Sequence, residues 1–255
     1  MTIEKSFSLA GRKLMIAIPC YDGKVNIGTA FALASVGRHL EHYGARLSFA
    51  EVTGCSIVSR ARNILVKQFL DSDCTDMLFV DADVVINTDA VLRIMAVGTD
   101  KDVVAGTYPS RTSSGKIFAG LYLDDDKMPV MDENGLLKAR MAATGFMLIR
   151  RHVITTLIER HPEWTYGADA MNPGRVEHAL FDVGVVDGAY IGEDIMFCQR
   201  TIAEGFTVYV DPEISLPHVG AHAFVKDFNK ELLQPLLAAQ KAKGQRDAIL
   251  EQEAA

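Results

Sequence analysis

Asp81 and Asp83 stand one alanine apart at the end of an apolar run, Met77-Leu78-Phe79-Val80. Four apolar residues in a row, after the polar Asp71-Ser72-Asp73, predict a strand buried on both faces of a parallel sheet. In extended chain residues i and i+2 point the same way, so the two carboxylates are expected to aim at one point. Like charges at a buried strand end are costly unless a cation joins them. Oxygen ligands at that spacing suit a hard divalent ion, Mg²⁺ or Mn²⁺, with positions left open for phosphate oxygens. Two solvated acids ahead of a helix over 88–97, capped by Asn87 or Thr88, would read the same way.

Other residues could do chemistry beside that pair. The turn Pro19-Cys20-Tyr21-Asp22-Gly23 follows a strand, where open α/β sheets bind ligands. There Tyr21 could stack on a base and Asp22 could accept from its ring N–H, although the same residues also read as a plain turn. Ser59-Arg60-Ala61-Arg62-Asn63 opens a helix. Two arginines near a helix start oppose the macrodipole unless an anion such as a diphosphate lies close; solvated surface arginines are the other reading. Gly145, inside the apolar run Ala142–Ile149, suggests a close approach of backbone to a ligand. Gly192-Glu193-Asp194 puts two acids in the first turn of a helix, which the dipole favours in any protein.

The elements that must position these residues alternate. Strands are expected at 13–18, 46–52, 77–80 and 102–106, with helices at 26–43, 56–70 and 88–97 between them. Leu47 and Phe49 are expected on the apolar side of the second strand, and Ile57, Leu65 and Phe69 on the inner side of the second helix. This is the βαβ order of a Rossmann-like half. Neither G-x-G-x-x-G nor a Gly-rich loop with lysine follows the first strand. Further strands are expected at 117–123 and 207–210, with Asp124-Asp125-Asp126 as a solvated hairpin tip between neighbouring strands. A helix is expected over 151–160. Periodicity fades from His161 to Gly188, which predicts a long loop over the site that orders on substrate binding. Pro217-His218-Val219-Gly220-Ala221-His222 leads into a last, polar-faced helix.

The 255 residues carry 49% apolar and 23% charged side chains, as ordinary globular chains do. The chain shows no run long enough to span a bilayer and no signal-peptide layout at its start. Four scattered cysteines without CxxC spacing read as free thiols in a cytoplasmic protein. A net charge of −7 argues against a generally basic nucleic-acid binder and leaves room only for a local basic groove.

Together these pieces resemble the GT-A class of nucleotide-sugar glycosyltransferases, most of all the short forms common in bacteriophage and bacterial genomes. The resemblance covers about 14–224. Asp81-Ala82-Asp83 matches its D-x-D metal motif, and Thr144-Gly145-Phe146 the segment lining the donor sugar. Gly192-Glu193-Asp194 matches the acidic motif whose carboxylate contacts the acceptor and often serves as base. His218, or His222 four residues on, matches the histidine that completes the metal site. The resemblance implies an α/β fold of GT-A type: a Rossmann-like nucleotide-binding half (about 13–110), a mixed sheet, and an acceptor-binding half (about 111–228). A helical tail (229–255) would follow one catalytic domain (1–228). Mn²⁺ or Mg²⁺ would be held by Asp83, by Asp81 directly or through ribose or water, and by His218. Arg60, Arg62 or Arg111 would bind the diphosphate of a donor such as a UDP-sugar, and Asp194 or Glu193 would be the base. The Q-x-x-R-W pattern of processive synthases is missing, which points to transfer of one sugar.

A sugar nucleotidyltransferase would share the first half but normally carries a Gly-rich basic loop where this chain has Pro19-Cys-Tyr-Asp-Gly-Lys. A non-catalytic nucleotide-sugar binding module would tolerate loss of Glu193 and Asp194. The acceptor is expected to be a saccharide or a hydroxymethylated DNA base. Lys116, Lys138, Arg140, Arg150, Arg151, Arg160 and Arg175 would have to line one face for DNA.

Overall fold

A computed structural model describes residues 8–112, 115–167, 174–220 and 223–253. The first strand, β1 (Lys13–Pro19), is followed by α1 (Ile27–His42), β2 (Arg46–Val52), α2 (Val58–Leu70), β3 (Asp76–Val80), α3 (Thr88–Val97) and β4 (Val103–Thr107). This is the alternation that periodicity predicts, with ends shifted by a residue or two. α1 begins where the Asn26 side chain accepts from the Gly28 N–H, and it stops before Gly44, whose φ of +84° lies in the left-handed region. Asn87 caps α3 by accepting from the Ala90 N–H.

The second half adds β5 (Ala119–Leu121), β6 (Leu137–Ala142), β7 (Phe146–Arg150), α4 (Arg151–Arg160), β8 (Thr165–Gly167), β9 (Val176–His178), β10 (Gly184–Val186) and β11 (Ala189–Ile191). It ends with α5 (Glu193–Ala203), β12 (Val208–Ser215), β13 (His218–Val219), β14 (Ala223–Phe224) and α6 (Gln234–Glu253). Eight strands form one sheet in the order β2-β1-β3-β7-β4-β12-β6-β5. β1 pairs in parallel with β2 and β3, whereas β7 runs antiparallel between β3 and β4. The expected mixed α/β sheet with a Rossmann-like first half is therefore present, and both halves of the chain contribute strands to it.

Each face of the sheet is covered. Met77 and Phe79 face one core with α2, α4 and α5, while Leu78 and Val80 face the other with α1 and α3. All five residues of β3 are buried, the outcome predicted by its unbroken apolar run. Burial of each large apolar side chain contributes roughly 1.5–3 kcal/mol.

Several expectations are corrected. Phe49 is 52% exposed because β2 is an edge strand, and Ile57 is 57% exposed because it precedes α2 rather than belonging to it. Starting the helix at Val58 turns Ala61, Arg62, Asn63, Leu65, Val66 and Phe69 inward. The stretch 161–188 is not one open loop in its described part, because β8 pairs with β9 and β10 begins a hairpin with β11. Between the two hairpins Phe181 is buried, stacked on Phe197 with ring centroids 4.5 Å apart. Its N–H and C=O exchange hydrogen bonds of 2.9 and 2.8 Å with the Asn63 side chain. Strands of three residues are too short for alternation to show in sequence. Residues 168–173, in the middle of the expected loop, lie outside the described residues. The acid tip is as expected: Leu123 bridges Pro129, and the Asp124 N–H donates to the Met128 carbonyl at 2.9 Å.

Candidate active site

The parallel strands β1, β3 and β4 end on one edge of the sheet, and an open cleft of about 640 Å³ lies there. Pro19, Tyr21, Asp22, Lys24, Val58, Arg62, Asp81, Ala82, Asp83, Arg111 and Glu193 line it. Tyr21 is 65% exposed, presenting its ring to whatever enters. Asp22 accepts from the Lys24 N–H at 3.1 Å, and that hydrogen bond holds its carboxyl below the usual aspartate range.

β3 stops at Val80, so Asp81-Ala82-Asp83 is not extended. The Asp81 N–H donates to the Gly145 carbonyl at 2.9 Å, and the Val84 N–H closes a turn on the Asp81 carbonyl at 3.0 Å. The expected convergence of both carboxylates by strand alternation is thereby overturned: each acid meets its own cation. Asp81 faces Arg62 with both oxygens, Oδ1 to Nη1 at 2.9 Å and Oδ2 to Nη2 at 3.1 Å. Asp83 lies 2.9 Å from Arg111 Nη1 and 3.3 Å from His218 Nε2.

His218 reaches Asp83 because the chain after β12 docks on the turn. Val84 bridges His218, and the Val219 N–H donates to the Asp83 carbonyl at 2.8 Å. Nδ1 of His218 is 2.9 Å from the Pro109 carbonyl, which selects the tautomer that leaves Nε2 toward Asp83. Burial pulls the His218 pKa down, but hydrogen bonds to Asp83 and Pro109 and the charge of Asp83 leave it raised. Burial pushes the Asp83 pKa up, and His218 followed by Arg111 outweighs this, so it lies below the usual range. His222 lies outside the described residues.

The two arginines of α2 part company. Arg62 is buried at 3% exposure, and its Nε is 3.4 Å from Glu193 Oε1. Removing one partner of a buried ion pair typically costs about 3–5 kcal/mol, so Arg62 stays with Asp81. The Arg111–Asp83 pair, with side chains 50% and 34% exposed, belongs to a class worth roughly 0–1 kcal/mol and exchanges easily for another anion. Arg60 does not line the cleft; its charge acts on Tyr166 of β8. Asn63 is buried on the Phe181 backbone instead of facing a donor.

At the start of α5, Glu193 lines the cleft and Asp194 is partly buried. Burial, followed by the charge of Glu193, raises the Asp194 pKa against the pull of its hydrogen bond from Ile195 N–H and of Arg62. A carboxylate whose basicity is raised beside a cleft has the character of a general base.

Gly145 makes its close approach to protein groups. Its N–H donates to Tyr108 Oη at 2.8 Å. A Cβ there would lie 2.6 Å from Tyr108 Cζ and 3.0 Å from Asp81 Oδ2, and closer still to the Tyr108 hydroxyl. Gly145→Ala is expected to destabilise the protein by about 1–3 kcal/mol in urea denaturation; an unchanged midpoint would contradict the packing. Tyr108, Lys24 and Val58 are site residues that sequence reasoning missed. The available signal was position: Tyr108 follows β4 on the same sheet edge, and Lys24 stands two residues after Asp22.

Four of the seven basic residues that a DNA acceptor would need on one face are engaged within the protein. Arg150 pairs with buried Asp76 at 2.9 Å, Arg160 with Glu204 at 2.8 Å and Arg175 with Glu177 at 2.9 Å. Arg151 donates to the Phe69, Ser72 and Cys74 carbonyls. Lys116, Lys138 and Arg140 are exposed. Among the described residues no helix is long and apolar enough to cross a membrane.

No family model matches the chain, and no curated protein matches it. Among solved structures it is similar to the 4-diphosphocytidyl-2C-methyl-D-erythritol synthase of Anaerococcus prevotii, with 13% identity, a TM-score of 0.40, and coverage of 80% of this chain and 87% of that one. It is similar also to residues 1–349 of S. aureus TarS, with 16% identity, a TM-score of 0.42, and coverage of 80% and 59%. For TarS in complex with UDP-GlcNAc the identity is 15%, the TM-score 0.42 and the coverage 80% and 57%. The chain thus spans somewhat more than half the length of the TarS structures.

Proposed function

We propose that this chain is a metal-dependent glycosyltransferase that moves one sugar from a nucleoside diphosphate sugar, a UDP-sugar first among them, to an acceptor hydroxyl. The observation that carries this reading is the exchangeable pairing of Asp83 with Arg111 and His218, with Asp83 and Arg111 in one cleft with Tyr21, Asp22 and Glu193, and Asp194 next to Glu193 at the start of α5. Tyr21 stacks on the base and Asp22 accepts from its ring N–H. Arg111 turns from Asp83 to the diphosphate, a charge-assisted contact stronger than the exposed pair it leaves.

The residues present fit Mn²⁺ or Mg²⁺. Asp83 and His218 offer one oxygen and one nitrogen donor 3.3 Å apart, with the imidazole oriented by Pro109. Among the described residues no cluster of three or more His, Cys, Asp or Glu side chains could hold the ion by itself, so diphosphate oxygens would have to complete its coordination. Such an ion offsets the charge that grows on the leaving diphosphate. Asp194 accepts the proton of the acceptor hydroxyl as its oxygen bonds to the anomeric carbon. The bond from that carbon to the phosphate oxygen breaks, and the nucleoside diphosphate leaves with the electron pair. In this reading Asp81, kept by Arg62, would serve the ribose side of the donor rather than the ion.

A saccharide hydroxyl is the acceptor this reading favours. Four of the seven basic side chains needed for a DNA face are engaged with acids or carbonyls of the protein itself. A screen by mass spectrometry would cross UDP-sugars with simple saccharides, hydroxymethylated DNA and plain DNA. Sugar mass added to saccharides supports the proposal. Addition only to hydroxymethylated DNA would replace the acceptor, and pyrophosphate released from a sugar 1-phosphate and an NTP would replace the reaction with nucleotidyl transfer.

A further inference from the structure

We infer that Arg62 is a positioning residue that decides which carboxylate of each acidic pair does chemistry. By holding Asp81 and Glu193 it leaves Asp83 for the metal that would carry the diphosphate and Asp194 for the acceptor hydroxyl. The inference rests on the transferase reading and extends it to a buried side chain in the wall of the cleft.

Two pairs of neighbouring acids meet at the cleft, Asp81 with Asp83 and Glu193 with Asp194. The first pair lies in the turn after β3 and the second in the first turn of α5, and in each the two acids have the same charge and stand at most two residues apart. One buried guanidinium contacts one member of each. Nη1 and Nη2 take both oxygens of Asp81, and Nε reaches Glu193. These partners are 19 and 131 residues away in sequence, so Arg62 fastens the end of β3 to the start of α5. The five N–H donors lie in one rigid plane, which a flexible ammonium cannot reproduce across two acids.

The guanidinium is itself held. Its carbon stands 5.3 Å from the Phe79 ring centroid, and at the next residue Asn63 ties α2 to the Phe181 backbone. At 3% exposure Arg62 has little freedom to turn toward an incoming anion. Burial opposes its charge, but Asp81 and then Glu193 outweigh burial and keep it protonated. Asp83 pairs instead with Arg111 and His218, and Asp194 accepts from the Ile195 N–H and meets Arg62 only through charge.

The test compares Arg62→Gln and Arg62→Lys with wild type, and each with Asp81→Asn, Glu193→Gln and Asp194→Asn. UDP affinity with Mn²⁺ is read by calorimetry, transfer by kcat and donor KM, and pairwise coupling by urea denaturation. A positioning residue predicts that Arg62→Gln leaves UDP affinity and donor KM within about threefold while kcat falls roughly 10²-fold, with partial rescue by Arg62→Lys. Denaturation midpoints should be non-additive for Arg62→Gln with Asp81→Asn and with Glu193→Gln, and closer to additive with Asp194→Asn, whose interaction with Arg62 is only through charge. A tenfold loss of UDP affinity at unchanged kcat would make Arg62 a direct phosphate ligand and overturn the inference. Additivity with Asp81→Asn and Glu193→Gln would overturn it too. The denaturation arm needs no activity, so absence of transfer in wild type would sink the transferase reading while the coupling still decides what Arg62 holds. If Arg62→Gln is too unstable to purify, Arg62→Lys, which keeps the charge but cannot bridge both acids, carries the same comparisons with smaller expected losses.

Discussion

Asp194→Asn is expected to slow sugar transfer by roughly 10²-fold or more, about 2.7 kcal/mol of barrier, with donor affinity near wild type. Asparagine keeps the shape of the side chain but cannot accept the proton of the acceptor hydroxyl. The same substitution should raise the melting temperature at pH 7. Burial raises the folded-state pKa of Asp194 above its unfolded value, so its ionised form is penalised by folding and removal of that charge relieves the penalty. For wild type the raised pKa sets the direction of the pH profile: kcat falls as pH falls through it, beginning at higher pH than for an ordinary aspartate. Glu193→Gln should slow transfer less, because Glu193 is engaged by Arg62. If Glu193→Gln proves the more damaging of the two, the base is misassigned.

Asp83→Ala is expected to abolish the Mn²⁺-dependent part of UDP binding, and His218→Ala to weaken it about tenfold or more, as loss of metal-site groups commonly does. Calorimetric titration of UDP with and without Mn²⁺ checks both; equal wild-type affinity in the two conditions would refute metal dependence. The pH sign follows from His218. Its folded pKa is raised by Asp83, so in the metal-free protein its ion pair stabilises most below the unfolded value and is lost as pH rises through the folded one. A metal needs the imidazole neutral, so Mn²⁺ affinity should move the opposite way and fall on acidification.

The local sequence was a sound guide wherever one element answers to its own periodicity. The run Met77–Val80 demanded burial on both faces, and all of β3 is buried. Asn26 with Gly44, and Asn87 before Thr88, marked helix ends through hydrogen bonds made within a few residues. The same locality put Asp81, Asp83, Tyr21 and Asp22 at strand ends, and strand ends of a parallel sheet share an edge.

What sequence could not decide was partnership. Whether Asp81 and Asp83 converge depends on where β3 stops, and a turn closed by the Val84 N–H, with Gly145 holding the Asp81 N–H, stops it one residue before the first acid. The inward turn of Arg62 depends on α2 starting at Val58, and its two acids arrive from segments 19 and 131 residues away. Arg150, Arg151, Arg160 and Arg175 read as a basic cluster because charge is visible in one dimension, while the acids and carbonyls that engage them lie elsewhere in the chain. Periodicity records the side of an element that faces the core, a property of neighbours three or four residues apart. The pairing of charges is set by distances across the sheet, and only the folded chain sets those.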